Sequence, residues 1–86
     1  WKADCWMGDT YVVELFSFPN PPERPSYPEA AGLRHLAFEV DNLAAAVSEL
    51  DSKGVKHEPI RMDEYTGKQF VFFCDPDGLP IELYEK

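Results

Sequence analysis

Hydrophobic and polar positions alternate or recur with enough regularity to divide the chain into elements. From Thr10 to Phe18 the run TYVVELFSF is dense in β-branched and aromatic residues and stops at Pro19, which cannot donate to a ladder, so it predicts a strand. Trp1 to Met7 predicts a shorter strand, and Gly8 with Asp9 supplies the turn chemistry for an antiparallel hairpin between the two. Leu33 to Val40 shows period 2, with Leu36, Phe38 and Val40 on one face and His35 and Ala37 on the other. Leu43, Ala46, Val47 and Leu50 then recur at helical spacing, with Asp41 or Asn42 available as cap and Gly54 as terminator. Glu49 and Lys53 lie one turn apart on the opposite, solvated face.

Val55 to Met62 predicts a strand interrupted by Pro59, hence an edge or a bulge. Gln69 to Cys74 is strongly strand-like, Asp75 to Gly78 (DPDG) is a tight turn, and Pro80 to Glu85 completes a hairpin. Its period places Ile81 and Leu83 on one face, Glu82 and Tyr84 on the other. Between Pro19 and Gly32 the prolines Pro19, Pro21, Pro22, Pro25 and Pro28 forbid both helix interior and central strand, which predicts a crossing loop.

The order from Leu33 onward is strand, helix, strand, strand, strand, and the residues before Pro19 match only the last two strands of such a unit. An α+β chain is expected, built as one complete βαβββ module at 33–86, a proline-rich linker at 19–32, and the end of a preceding module at 1–18. The start at Trp1, already inside a strand, makes an N-terminally incomplete domain the expectation.

Composition narrows the function. Hydrophobic residues make up 44% and aromatics 14% of 86 residues, which is enough for one globular core and too much for a disordered chain. A net charge of -8 without any basic run makes nucleic acid a poor partner. No apolar stretch approaches the roughly 18 residues of a membrane span, and no export signal is visible, so a cytoplasmic location is expected. Cys5 and Cys74 have no CxxC spacing and are expected to be reduced, buried thiols.

Three polar residues interrupt apolar strands: Glu14, His35 and Glu82. Singly, each has an ordinary reading. Glu14 would be a solvated residue of an open sheet face, His35 a hydrogen-bonded strand histidine, and Glu82 the polar side of an edge strand. Together they admit a common one, because imidazole and two carboxylates converging on a curved sheet form a sound donor set for divalent Zn, Ni, Co, Mn or Fe. His57 is expected to be exposed and not a ligand. Arg24 is expected to be a solvated loop charge, although it is available as an anion contact.

The blocks VVELFSFP (12–19), GLRHLAFEV (32–40) and DPDGLPIELYE (75–85), with PPERP at 21–25, resemble the second-half signature of the glyoxalase I and bleomycin-resistance proteins, the vicinal oxygen chelate superfamily. They are most similar to its small bacterial glyoxalase-like members. The resemblance implies paired βαβββ modules forming a curved mixed sheet around a metal. It implies Glu14 as the ligand closing module one, His35 as the ligand opening module two, and Glu82 as the ligand closing it. The family's fourth ligand, a His near the start of the protein, has no counterpart here, so upstream residues or another chain would supply it. The implied activity is a glyoxalase I-like lyase or isomerase, acting through an enediolate on a small 2-oxoaldehyde thiol adduct, with a thiol such as glutathione as cosubstrate. In that scheme Glu82 leaves the metal to act as the base, and a homodimer is expected. Within the same fold, the alternatives are a metal-free drug-binding module of the bleomycin-resistance type and an Fe(II) extradiol dioxygenase.

Overall fold

The computed structural model describes residues 1–86 as two sheets joined by an irregular segment. Strands β1 (Lys2–Met7) and β2 (Thr10–Phe16) form an antiparallel hairpin across Gly8 and Asp9, with an irregularity between Cys5 and Trp6. The pairing predicted from turn chemistry is the pairing found. The hairpin's principal contacts are internal to it, and it stands as a two-stranded sheet of its own. Residues 17–35 contain no helix or strand beyond an isolated bridge between Ser26 and Glu29, as the prolines require.

The second sheet contains β3 (Leu36–Val40), β4 (Arg61–Met62), β5 (Gln69–Cys74) and β6 (Pro80–Glu85) in the order β3-β6-β5-β4. It is mixed: β3 runs parallel to β6, and the other pairs are antiparallel. Besides β2, which ends at Phe16 and not at Phe18, two predicted strands of this second sheet are shorter than expected. The first begins at Leu36, because the backbone carbonyls of Leu33 and Arg34 are engaged by the Arg24 side chain. The second keeps only Arg61–Met62 and a bridge from His57 to Phe73, with Pro59 breaking the ladder between them at the sheet edge.

Helix α1 (Leu43–Ser52) is bounded as the sequence specifies. The Asn42 side chain accepts from the Ala45 N–H at 3.0 Å. At the other end Gly54 adopts φ +70°, its N–H donates to Asp51 O and the Val55 N–H to Leu50 O, which is the Schellman closure. The Lys53–Glu49 ion pair at 3.0 Å marks the outer face.

Register sorts the sheet's side chains. Leu36, Phe38, Ile81, Leu83, Val71 and Phe73 stand opposite one another on the face covered by α1. Leu43 and Val71, 2% and 0% exposed, are the only fully buried residues, so the core is the thin layer between α1 and the sheet centre. The other face carries Ala37, Glu82, Tyr84, Phe70 and Phe72 and has no helix over it. No helix is long and apolar enough to cross a membrane. Neither Cys5 nor Cys74 is buried as expected: Cys5 is half-buried on the hairpin, and Cys74 is exposed, because it ends β5 where the chain enters the DPDG turn.

Candidate metal centre

Glu82 sits in mid-strand on β6, paired with Ala37 on one side and Phe72 on the other. Its side chain is 16% exposed and points away from the helix. His35 is the residue before β3, and its Nε2 lies 3.3 Å from Glu82 Oε1. The parallel β3–β6 pairing produces this meeting, since it aligns the opening of one strand with the opening of the other. The Phe72 ring closes a third side, with its centroid 5.2 Å from the imidazole and inclined at 71°. Two residues 47 apart in sequence thus form one imidazole–carboxylate pair on an aromatic floor.

The spacing suits a shared cation. Donors lying about 2.0–2.2 Å from a divalent ion at tetrahedral or octahedral angles stand roughly 3.0–3.5 Å apart, and this pair falls inside that range. Nitrogen and carboxylate oxygen together suit Zn and its first-row neighbours.

Glu14 is elsewhere. It faces Asp4 across the hairpin, and Lys2 Nζ bridges the two carboxylates at 3.1 Å to each. Tyr11 donates to Asp4 at 2.8 Å, and desolvation, then that hydrogen bond, then the Asp4 and Glu14 charges raise the phenol above its ordinary range. No group of three His, Cys, Asp or Glu side chains converges anywhere in the structure. Within one chain, the structure brings His35 and Glu82 together and leaves Glu14 on the separate hairpin.

Two minor expectations are corrected. His57 is not exposed: its side chain is 19% accessible, with Nε2 2.8 Å from Asp51 Oδ1 and Nδ1 2.8 Å from Glu58 O. Arg24 is not a solvated charge. It pairs with Glu29 at 2.9 Å and donates to the carbonyls of Arg34 and Leu33, and so clamps the linker onto the approach to His35. The PPERP segment offered no periodicity from which such a clamp could be inferred; only the fold of the loop reveals it.

Aromatic side chains surround the pair. Phe70 stacks on Tyr84 at 6.2 Å and meets Phe72 edge-on at 6.1 Å. The Tyr84 hydroxyl donates to Asp63 Oδ2 at 2.8 Å and lies 2.5 Å from Thr66 Oγ1, so the loop after β4 is tied to this face. That hydrogen bond is the leading cause holding the Asp63 carboxyl below its usual range. Period 2 alone contained the signal, because Phe70 and Phe72 alternate as Glu82 and Tyr84 do.

Comparison with known proteins identifies the family and the fold. The family model described as Glyoxalase/Bleomycin resistance protein/Dioxygenase superfamily matches residues 6–83. The uncharacterized protein YaeR of Escherichia coli (strain K12) is 65% identical over all 86 residues, which correspond to 67% of its own length. The crystal structure of a glyoxalase family protein from Enterococcus faecalis superposes with a TM-score of 0.87 at 49% identity, covering 98% of this chain and 66% of that one. Lactoylglutathione lyase of Schizosaccharomyces pombe (strain 972 / ATCC 24843) is 38% identical over 52 residues, 60% of this chain and 17% of that protein. The chain thus spans about two thirds of the length of the first two of these relatives.

Proposed function

The chain belongs to the Glyoxalase/Bleomycin resistance protein/Dioxygenase superfamily, and from that membership we propose that it is part of a divalent-metal-dependent, glyoxalase I-like lyase or isomerase of the cytoplasm. The reading is carried by one observation, the His35 Nε2–Glu82 Oε1 approach of 3.3 Å on an otherwise aromatic sheet face. The partial likeness to a lactoylglutathione lyase supports the same direction. So does the donor chemistry, which suits a Zn, Ni, Co, Mn or Fe ion.

In this reading His35 and Glu82 hold the metal, with Glu14 as third donor. The ion would supply Lewis-acid polarisation of two adjacent substrate oxygens. Glu82 does the proton chemistry: its carboxylate takes a proton from one carbon of a 2-oxoaldehyde thiol adduct and returns it to the neighbouring carbon, a net isomerisation. Phe72 and the sheet backbone screen that carboxylate from bulk water on one side. His35 is positioned by the β3–β6 pairing and by the Phe72 ring edge, so it can bind without reorganising. A thiol such as glutathione is the proposed cosubstrate.

Glu14 stands on the β1–β2 sheet, apart from the sheet that carries the His35–Glu82 pair, and the proposed assembly is a homodimer in which the hairpin of one copy covers the open face of the other.

Elemental analysis beside a His35→Ala variant tests the reading. Wild type is expected to carry close to one divalent ion per chain and the variant at least tenfold less. Glu82→Gln is expected to lower the isomerisation of the methylglyoxal–glutathione adduct by about 10²–10⁴-fold. Equal metal content in wild type and His35→Ala would overturn the assignment.

A further inference from the structure

The open face of the four-stranded sheet holds a cation that the proposed chemistry does not use. Register identifies it: Arg61 stands opposite Phe70, Phe70 opposite Tyr84, and Phe72 opposite Glu82, so all project to the same face. The Arg61 guanidinium carbon lies 5.0 Å from the centroid of the Phe70 ring and 5.6 Å from that of Phe72. The Phe72 ring in turn touches His35, as described above. One phenyl ring therefore separates the guanidinium from the imidazole–carboxylate pair.

Nothing within the chain engages this guanidinium fully. Its one acidic partner is Glu58, three residues earlier, reached through Nη2 alone at 3.3 Å. Both side chains are more than half exposed, and water screens such a pair heavily. By contrast, Arg24 and Lys53 hold their acids at 2.9 Å and 3.0 Å. The cation–π contacts fix where the Arg61 plane lies without consuming its outward N–H donors. The setting is otherwise hostile to anions, since the chain carries a net charge of -8 and the same face bears Glu82 and Glu39. A cation seated over the aromatic floor is the local exception, and its planar fork matches a carboxylate or phosphate with two parallel hydrogen bonds.

We propose that Arg61 is a specificity-determining residue that binds an anionic group, carboxylate or phosphate, of the molecule acted on at the His35–Glu82 pair. The substrate class is thereby narrowed to small anions whose charged end lies one ring's breadth from the reacting carbons. The assignment rests on the proposed role of that pair, but the anion contact itself does not require the metal.

The test is therefore an equilibrium titration of the isotope-labelled protein, followed by backbone amide chemical shifts, with and without added zinc. The probes are 2-phosphoglycolate, succinate and neutral glycolamide. The expected result is saturable shifts at Arg61, Phe70 and Phe72 with at least one anion, and the tighter of the two anions identifies the group preferred. Arg61→Gln should weaken that anion at least tenfold and leave glycolamide within twofold. Arg61→Lys should recover only part of the loss, because a point charge cannot form the paired contact. Glu58→Gln, which removes the competing acid and leaves Arg61 in place, should tighten anion binding about threefold. Anion affinity in Arg61→Gln within twofold of wild type, with both proteins showing the same dispersed spectrum, would overturn the proposal. So would an absence of anion-induced shifts on this face. Loss of zinc binding in His35→Ala with anion binding intact would support both readings separately, and anion binding in a wild type that takes no zinc would support this one while rejecting the metal.

Discussion

At the scale of single residues, His57 shows how much one side chain can depend on its surroundings. Both ring nitrogens face oxygen acceptors, Glu58 O and Asp51 Oδ1, each at 2.8 Å. Only the doubly protonated ring can donate to both. The Glu58 carbonyl first, and then the Asp51 carboxylate, raise its pKa above the ordinary 6.5, with desolvation opposing them. Lys56 beside it and the Arg61–Glu58 pair are the other charges nearby in the sequence. A group whose folded pKa is raised contributes stability that is fully present below its unfolded value and is lost as pH rises through the folded one. The contact joins the end of α1 to the segment bridged to β5, so its loss should loosen that corner. Between pH 6 and pH 8.5 the thermal midpoint of wild type should therefore fall relative to that of His57→Gln; parallel pH profiles for the two proteins would contradict this.

Among the elements, α1 has the simplest explanation and the most exposed weakness. It has no acidic residue in its first turn and no basic residue in its last, so no side-chain charge within those turns favours the macrodipole, and the one cation at its C-terminal end, Lys53 at the C-cap, is paired with Glu49. Its boundaries rest on the Asn42 cap and the Schellman closure at Gly54. Leu43, the first helical residue, is also one of the two fully buried side chains, which couples the cap directly to the core. Asn42→Ala should cost about 1 kcal/mol in denaturant unfolding, and Asn42→Asp, which retains a cap acceptor, should recover most of it. If Asn42→Ala unfolds at the wild-type midpoint, the cap does not hold the helix start.

For the molecule as a whole, the surface is the anomaly. The radius of gyration is 14.4 Å, against roughly 12 Å expected for a compact chain of this length. The hairpin and the residues after it leave Trp6, Tyr11, Leu15, Phe16 and Phe18 between 40% and 70% exposed. Apolar side chains gathered on one element gain by being covered, because every exposed square ångström costs about 25 cal/mol. The proposed homodimer would cover them and bring Glu14 toward a His35–Glu82 pair. Sedimentation equilibrium should show a dimer at micromolar concentration, and Phe16→Lys should shift it toward monomer. A single monomeric species in wild type at all concentrations would count against the arrangement.

Local signals in the sequence determined the elements and their order. Period-2 runs marked the strands, Asn42 and Gly54 bounded the helix, the DPDG turn set the last hairpin, and prolines excluded structure from the linker. Each depends on covalent geometry and nearest neighbours, which a sequence contains in full. The same patterns sorted Leu36, Phe38, Ile81 and Leu83 from Glu82 and Tyr84, and motif resemblance named the superfamily. Tertiary structure decided which polar residues meet. His35 and Glu82 adjoin because β3 runs parallel to β6, Arg24 and His57 are drawn inward by partners distant or unmarked in the pattern, and Glu14 remains on a separate sheet. Convergence of side chains depends on strand order and register, which are set by the summed packing of the whole chain and leave no mark on any one segment.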